Sequence, residues 1–272
     1  MNTLIQYCIV ASAFSLSSLC SSAIADEPDY REMVEKQLSP MIEAELIPGA
    51  VVGIYKDGKV SFYPIGTLDF IQDESPTIET LYEIGSISKV ITGTLFADAV
   101  RREELTRDTL VNDLLPDGYQ VKAVDEEELK LWHLTTHTSG WGTAPFNLAP
   151  SDGESPFGGY TQEMMFEATK IMPLKHAPGS NFEYSNYAVG MLGTLVSINA
   201  QGEYESLVKK RILEPLGIEN FTIELSEEQL EKLAPATTSG RFTKRGERQG
   251  RWTQLGCGSP TRQGFSSSQH RI

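Results

Sequence analysis

The feature that most constrains the fold is the stretch Ala50 to Gly66, AVVGIYKDGKVSFYPIG, in which two β-rich runs flank Asp57-Gly58. Asp-Gly between such runs is a strong hairpin signal, because the tight two-residue turn needs positive φ at both central positions. A lone hairpin is marginal in water, so the fold must give these antiparallel strands neighbours. Just upstream, Met33, Val34, Leu38, Met41, Ile42 and Leu46 recur at spacings of three and four. That period predicts a helix with one apolar face, ended by Pro48-Gly49.

Past the hairpin the periodicity is mostly helical. Val90, Ile91, Leu95, Phe96, Ala99 and Val100 predict a helix that begins around Ser86 and runs to about Arg102. LTRDTLVNDLLPDG reads as a loop or short helical segment closed by Pro116. DEEELKLWHLTTHTSGW reads as a helix ending near Thr135, with the acidic run Asp125 to Glu128 as its solvated start. A loop rich in Gly, Pro and Ser continues to about Tyr160. A helix starting at Thr161, favoured by Glu163 in its first turn, runs to about Ile171. APGSNFEYSN is a turn, and an apolar helix from about Tyr187 to Ile198 follows, with Gly190 and Gly193 allowing close packing. Further helices and LEPLGIENFTI carry the chain to about Pro235, and no repeat period runs through it.

With 272 residues, 40% hydrophobic and 22% charged, the chain has enough apolar material for a sizeable core. Residues 1–25 read as a signal peptide: LIQYCIVASAFSLSSLCSSAIA carries no charge and ends in Ala23-Ile24-Ala25 before Asp26-Glu27, so cleavage is expected after Ala25. This predicts a periplasmic or secreted protein with no stable membrane insertion after cleavage. The weak positive charge at the N-terminus leaves a transmembrane anchor open as the alternative, whereas Leu19 is too large for the position before a lipoprotein Cys20. Cleavage removes Cys8 and Cys20, so Cys257 is left alone and no intrachain disulfide can form. The net charge of −14 argues against a nucleic-acid partner, which would need a basic face.

The chemistry centres on EIGSISKVITG, Glu83 to Gly93. Ser86 stands in the first turn of an apolar helix, where unpaired backbone N–H groups and the positive end of the dipole stabilise a developing oxyanion. Lys89 lies one turn on, on the same face and within reach of the hydroxyl. Ser-x-x-Lys alone is a weak signal, since Ser206-Leu207-Val208-Lys209 matches it inside an ordinary helical segment. The alternative at Ser86 is a helix start with a solvated lysine. A second element is Tyr184-Ser185-Asn186 before the apolar helix. A tyrosine there can share the serine proton with Lys89, and Asn186 can bind a substrate carbonyl or orient Lys89. The competing reading is a tyrosine and an asparagine that merely cap a helix. His133 and His137 stand four apart, but Leu134 occupies the place where a zinc-binding H-E-x-x-H needs glutamate.

In order along the chain, Ser86 to Lys89, His137-Thr138-Ser139-Gly140, PGSNFEYSNYAVGMLG and LEPLGIENF resemble the penicillin-recognising serine hydrolases. These comprise class C β-lactamases, D-alanyl-D-alanine carboxypeptidases and related esterases, and the likeness covers residues 30 to 235. The resemblance implies an α+β fold of the β-lactamase/transpeptidase-like kind: an antiparallel sheet with flanking helices and a mostly helical region. It implies Ser86 as the acylated nucleophile, Lys89 and Tyr184 as the proton-transfer pair and Asn186 as a substrate-binding contact. It also implies a structural role for His137, and neither a metal nor an organic cofactor. The expected partner is a small-molecule or peptide substrate: a β-lactam, a D-Ala-D-Ala peptide or a small ester. Oligomeric state is unknown from the sequence.

The family's third motif, Lys-Thr-Gly or His-Thr-Gly on a strand of the central sheet, does not follow Asn186 in this sequence. That strand also supplies a backbone N–H to the oxyanion hole, and loss of one such donor costs about 100- to 1000-fold in rate. Residues 239 to 272 hold seven Lys/Arg against one Glu. Gly264 to Ser268, GFSSS, is similar to a segment that precedes the absent strands in the family. The expectation is therefore residues 26–235 as a serine hydrolase domain with its sheet incomplete. Residues 236–272 form an atypical basic tail, either disordered or the product of a disrupted reading frame beyond Pro235. An active acyl-transfer enzyme and a truncated or degenerate, non-catalytic binding protein are the two functional readings.

Overall fold

The computed structural model describes residues 29–71, 73–148 and 159–235. The expected signal peptide at 1–25 and basic tail at 236–272 lie outside the described residues. Among these, α1 (Arg31–Glu43) leads into β1 (Gly49–Lys56) and β2 (Lys59–Gly66). These strands pair antiparallel with Lys56 opposite Lys59 and Gly49 opposite Gly66. Asp57 and Gly58 form the two-residue turn at φ 50° and 83°, the left-handed pair that this hairpin requires.

One face of the hairpin packs on α1: Tyr63 is buried, its hydroxyl accepts from the Tyr30 N–H at 3.2 Å, and the two rings meet edge to face. The opposite face carries Tyr55, paired with Val60, and Phe62, all exposed. The described residues hold no third strand, so the sheet is two-stranded.

The helical region follows. A 3₁₀ turn (Gly85–Ile87) runs straight into α2 (Ser88–Arg101). Another 3₁₀ turn (Val111–Asp113), α3 (Leu131–Thr135), α4 (Gln162–Ile171) and α5 (Asn186–Asn199) come next. α6 (Tyr204–Val208), a π turn (Lys209–Leu213), α7 (Glu214–Leu216) and α8 (Glu227–Glu231) complete it. α5 is apolar almost all round, and nine of its 14 residues are buried, including Gly190 and Gly193. A helix with that composition belongs inside rather than on the surface. Leu95, Phe96 and Ala99 of α2, Leu131 and Leu134 of α3, and Met165 and Phe166 of α4 join it in one core with Trp141. Polar contacts at the margin tie the helices further: Thr92 of α2 and Tyr204 of α6 share a 2.8 Å hydroxyl contact, and Arg211 pairs with Glu104 at 2.6 Å.

Two expectations fail locally. α1 stops at Glu43, short of Pro48-Gly49, because the chain turns at Glu45 with φ 54°. Of its expected apolar face only Val34 is buried, while Met33 and Met41 are exposed. The acidic run Asp125 to Glu128 is not a helix start. Asp125 and Glu126 take φ 54° and 66° in a tight turn closed by mutual backbone bonds between Val124 and Glu127. The chain after it is extended: Val111 N–H donates to the Leu129 carbonyl at 2.8 Å and Leu131 N–H to that of Thr109 at 3.0 Å. Extension sends Leu129 and Leu131 into the core, so α3 is only five residues long.

Two loops bracket the region in front of α5. The first, His137 to Thr143, has Gly140 at φ 85°, where an added Cβ would stand 2.5 Å from the His176 carbonyl oxygen. Backbone strain and that clash act together at one position. Gly140→Ala is expected to lower unfolding free energy by about 1–3 kcal/mol. A denaturation midpoint equal to that of the wild-type chain would contradict the close approach.

Candidate active site

The two loops are joined like a zipper. Lys175 N–H donates to the Gly140 carbonyl, Gly179 N–H to Thr138 and Glu183 N–H to His137, each at 2.8 Å. Asn186 N–H donates to Thr143 at 2.9 Å. Side chains extend the seam, with Ser185 N–H donating to His137 Nδ1 at 3.1 Å and Ser185 Oγ–H to the Gly142 carbonyl at 2.7 Å. The same Ser185 oxygen accepts from Ala188 N–H at 3.0 Å and caps α5, so the N-cap is Ser185 and Asn186 is the first helical residue.

This seam delivers Tyr184 to the turn before α2. Its hydroxyl donates to Ser86 Oγ at 2.7 Å across 98 residues of sequence, and Lys89 Nζ donates to the same oxygen at 3.2 Å. Lys89 Nζ also stands 5.1 Å from the centre of the Tyr184 ring. Ser86, Lys89 and Tyr184, the residues that the resemblance implies as nucleophile and proton-transfer pair, are thus brought together. Ser86 sits in the 3₁₀ turn ahead of the helix rather than in its first α turn. The approach to that turn is fixed from the far end of the described chain: Leu81 N–H donates to the Lys232 carbonyl at 2.8 Å and Ala234 N–H to that of Leu81 at 2.9 Å.

Electrostatics favour proton movement at Tyr184. Burial alone would raise the phenol, but the nearby Lys89 ammonium and the hydrogen bond to Ser86 outweigh it and hold the group below its ordinary value. With its phenol ionised, the same 2.7 Å line can carry the Ser86 proton the other way.

The remaining expected residues separate. Asn186 is half-buried, and its side-chain amide is hydrogen-bonded to none of the three. His133 is buried and its Nδ1 accepts the Lys130 N–H at 3.0 Å at the start of α3, so it does not face outward with His137 as a ligand pair would. The second Ser-x-x-Lys match is occupied otherwise: Lys209 Nζ pairs with Glu205 at 2.8 Å, one turn back. Ser185 escaped the sequence reading, although a serine directly before an apolar helical run is an N-cap signal.

A family model described as Beta-lactamase matches residues 34–269, past the residue-235 limit of the motif likeness. Among curated proteins, a beta-lactamase from Yersinia enterocolitica is 28% identical over 84% of this chain and 55% of its own length. One from Escherichia coli is 26% identical over 78% of this chain and 52% of its own length. Among solved structures, a class C beta lactamase superposes with a TM-score of 0.64 at 25% identity, covering 78% of this chain and 56% of that one. A D-alanine carboxypeptidase from Burkholderia cenocepacia gives 0.63 at 26%, covering 81% and 59%. The chain spans about half the length of the curated relatives it matches. With the model matching most of its length and its fold shared with these structures, the chain belongs to the Beta-lactamase family.

Proposed function

We propose that this chain is a serine hydrolase acting through an acyl-enzyme on a β-lactam, a D-Ala-D-Ala peptide or a small ester. The observation that carries the reading is the convergence of the Tyr184 hydroxyl and the Lys89 ammonium on Ser86 Oγ, at 2.7 and 3.2 Å. In the forward step Ser86 Oγ attacks the substrate carbonyl carbon while its proton passes to the ionised Tyr184 oxygen, leaving a tetrahedral oxyanion. Collapse breaks the carbonyl bond to the leaving nitrogen or oxygen, which takes the proton back from Tyr184. Lys89, 3.2 Å from Ser86 Oγ and 5.1 Å from the centre of the Tyr184 ring, is placed to stabilise the phenolate. Water then attacks the Ser86 ester, giving its proton to the same Tyr184 oxygen. Collapse breaks the bond between the acyl carbon and Ser86 Oγ as Tyr184 returns that proton to Oγ, releasing the acid and restoring the free serine and the phenolate. The half-buried Asn186 amide, without a hydrogen-bond partner among the described residues, is suited to a substrate carbonyl. The D-alanine carboxypeptidase and beta-lactamase relatives support the peptide and β-lactam classes.

Incubation of the chain with a fluorescent penicillin and an activated phenyl ester tests the reading. Ser86→Ala should abolish covalent labelling, and Lys89→Ala and Tyr184→Phe should each cut acylation by about 100- to 10,000-fold. Lys209→Ala should leave it unchanged, since Lys209 pairs with Glu205 and makes no contact with Ser86 Oγ. Equal losses at Lys89 and Lys209, or labelling that survives Ser86→Ala, would overturn the assignment.

Export belongs to the same proposal, because the small-x-small pattern ending at Ala25 lies between an apolar run and an acidic start. N-terminal sequencing of the chain recovered from outside the cytoplasm should begin at Asp26; a sequence beginning at Met1 would refute cleavage.

A further inference from the structure

We infer that His137 is a positioning residue for Tyr184: its neutral imidazole holds the phenol at Ser86 by accepting the Ser185 N–H and stacking on the Tyr184 ring. The inference rests on the acyl-enzyme reading only where it concerns rate; its geometric part stands on the contacts alone. Three observations converge on His137. Nδ1 accepts the N–H of the residue directly after Tyr184 at 3.1 Å. The imidazole lies on the Tyr184 ring, centroids 4.5 Å apart and planes 36° apart. Its own carbonyl accepts the Glu183 N–H at 2.8 Å, so the backbone on both sides of Tyr184 is bonded to one residue. Phe182 meets the imidazole edge to face, with ring centres 5.8 Å apart.

An imidazole can do this only while Nδ1 keeps its lone pair, with the ring proton on Nε2. Protonation would replace the acceptor by a second donor aimed at the Ser185 N–H and would place a cation beside Lys89. The groups around the ring oppose that change. Burial and then the Lys89 charge, from α2, hold the imidazole below its ordinary value. On the loop side stand the Tyr184 phenol and Glu183, whose carboxylate is engaged by Lys175 at 2.5 Å. His137 also occupies φ 59°, a conformation that glycine and asparagine accept with least strain. Substitutions to these two residue types therefore probe the ring with little backbone penalty. His137→Asn is the informative one, because the amide oxygen it introduces can accept where Nδ1 did.

The test combines nuclear magnetic resonance with acylation kinetics on the full chain. In the wild-type chain the Ser185 amide resonance should move with pH in step with the His137 ring, at a midpoint below the ordinary histidine value of about 6.5. If His137 protonates and the Ser185 amide stays still, the positioning bond is refuted, whether or not the chain turns over any substrate. In kinetics with the phenyl ester, H137G should lower kcat by about 10- to 100-fold with little change in KM, as expected for misplacement of a reacting group. H137N should recover most of that loss and should lack the acid limb that the wild-type profile shows. An H137G enzyme with wild-type kcat and an unchanged acid limb would overturn the inference. Absence of acylation in the wild-type chain would defeat the proposed function while leaving the amide titration to decide the positioning role.

Discussion

The site depends on the backbone seam between the loops His137–Thr143 and Lys175–Asn186. Ser86 and Lys89 are close in sequence, and a turn followed by a helix brings them together without help. Tyr184 has no such local guarantee. It reaches Ser86 because four N–H groups spread along one loop, from Lys175, Gly179, Glu183 and Asn186, donate to carbonyls of the other, and because Ser185 both extends that seam and caps α5. Each such bond contributes only about 1 kcal/mol net, yet leaving several of these groups buried and unpaired would cost more than making them gains. The seam therefore acts as one unit, and the position of the phenol is a property of the whole rather than of any single bond.

The core explains why the seam stands where it does. α5 is buried nearly all round, so its start cannot slide to the surface, and Trp141 at the end of the first loop packs edge-on against Tyr187 with ring centres 4.8 Å apart. Apolar burial thus fixes the α5 end of the seam, and hydrogen bonding joins the rest of it. The reacting groups lie on the solvent side of this core, with Tyr184 38% exposed, where a substrate can reach them.

Much of this was legible in the sequence where one residue type has one physical use. Asp57-Gly58 marked a turn that needs two positive φ values, and the spacing of Leu95, Phe96 and Ala99 marked the buried side of α2. Ser86, Lys89 and Tyr184 stand out by their motifs, and Lys89 and Tyr184 each lie within hydrogen-bond reach of Ser86 Oγ. Local composition misled at Asp125 to Glu128, since acidic residues suit a helix start and a tight turn equally, and pairing with Thr109 to Val111 decided between them. The seam was not legible, because backbone bonds carry no side-chain signature. The same holds for the role of Ser185, hidden between two residues of more conspicuous chemistry.

The contact between Leu81 and Leu233 closes a loop that contains α2 through α8, the nucleophile turn included. The entropy of closing such a loop grows only with the logarithm of its length, so doubling the enclosed chain would cost about 0.6 kcal/mol. Insertions in surface connections between these two residues are therefore a small perturbation to the closure. Changes at its ends are a large one, because two backbone hydrogen bonds carry the whole crossing. Surface connections outside the seam can vary in length, while the strand-like residues on either side of the crossing are held to an extended conformation and to a parallel register.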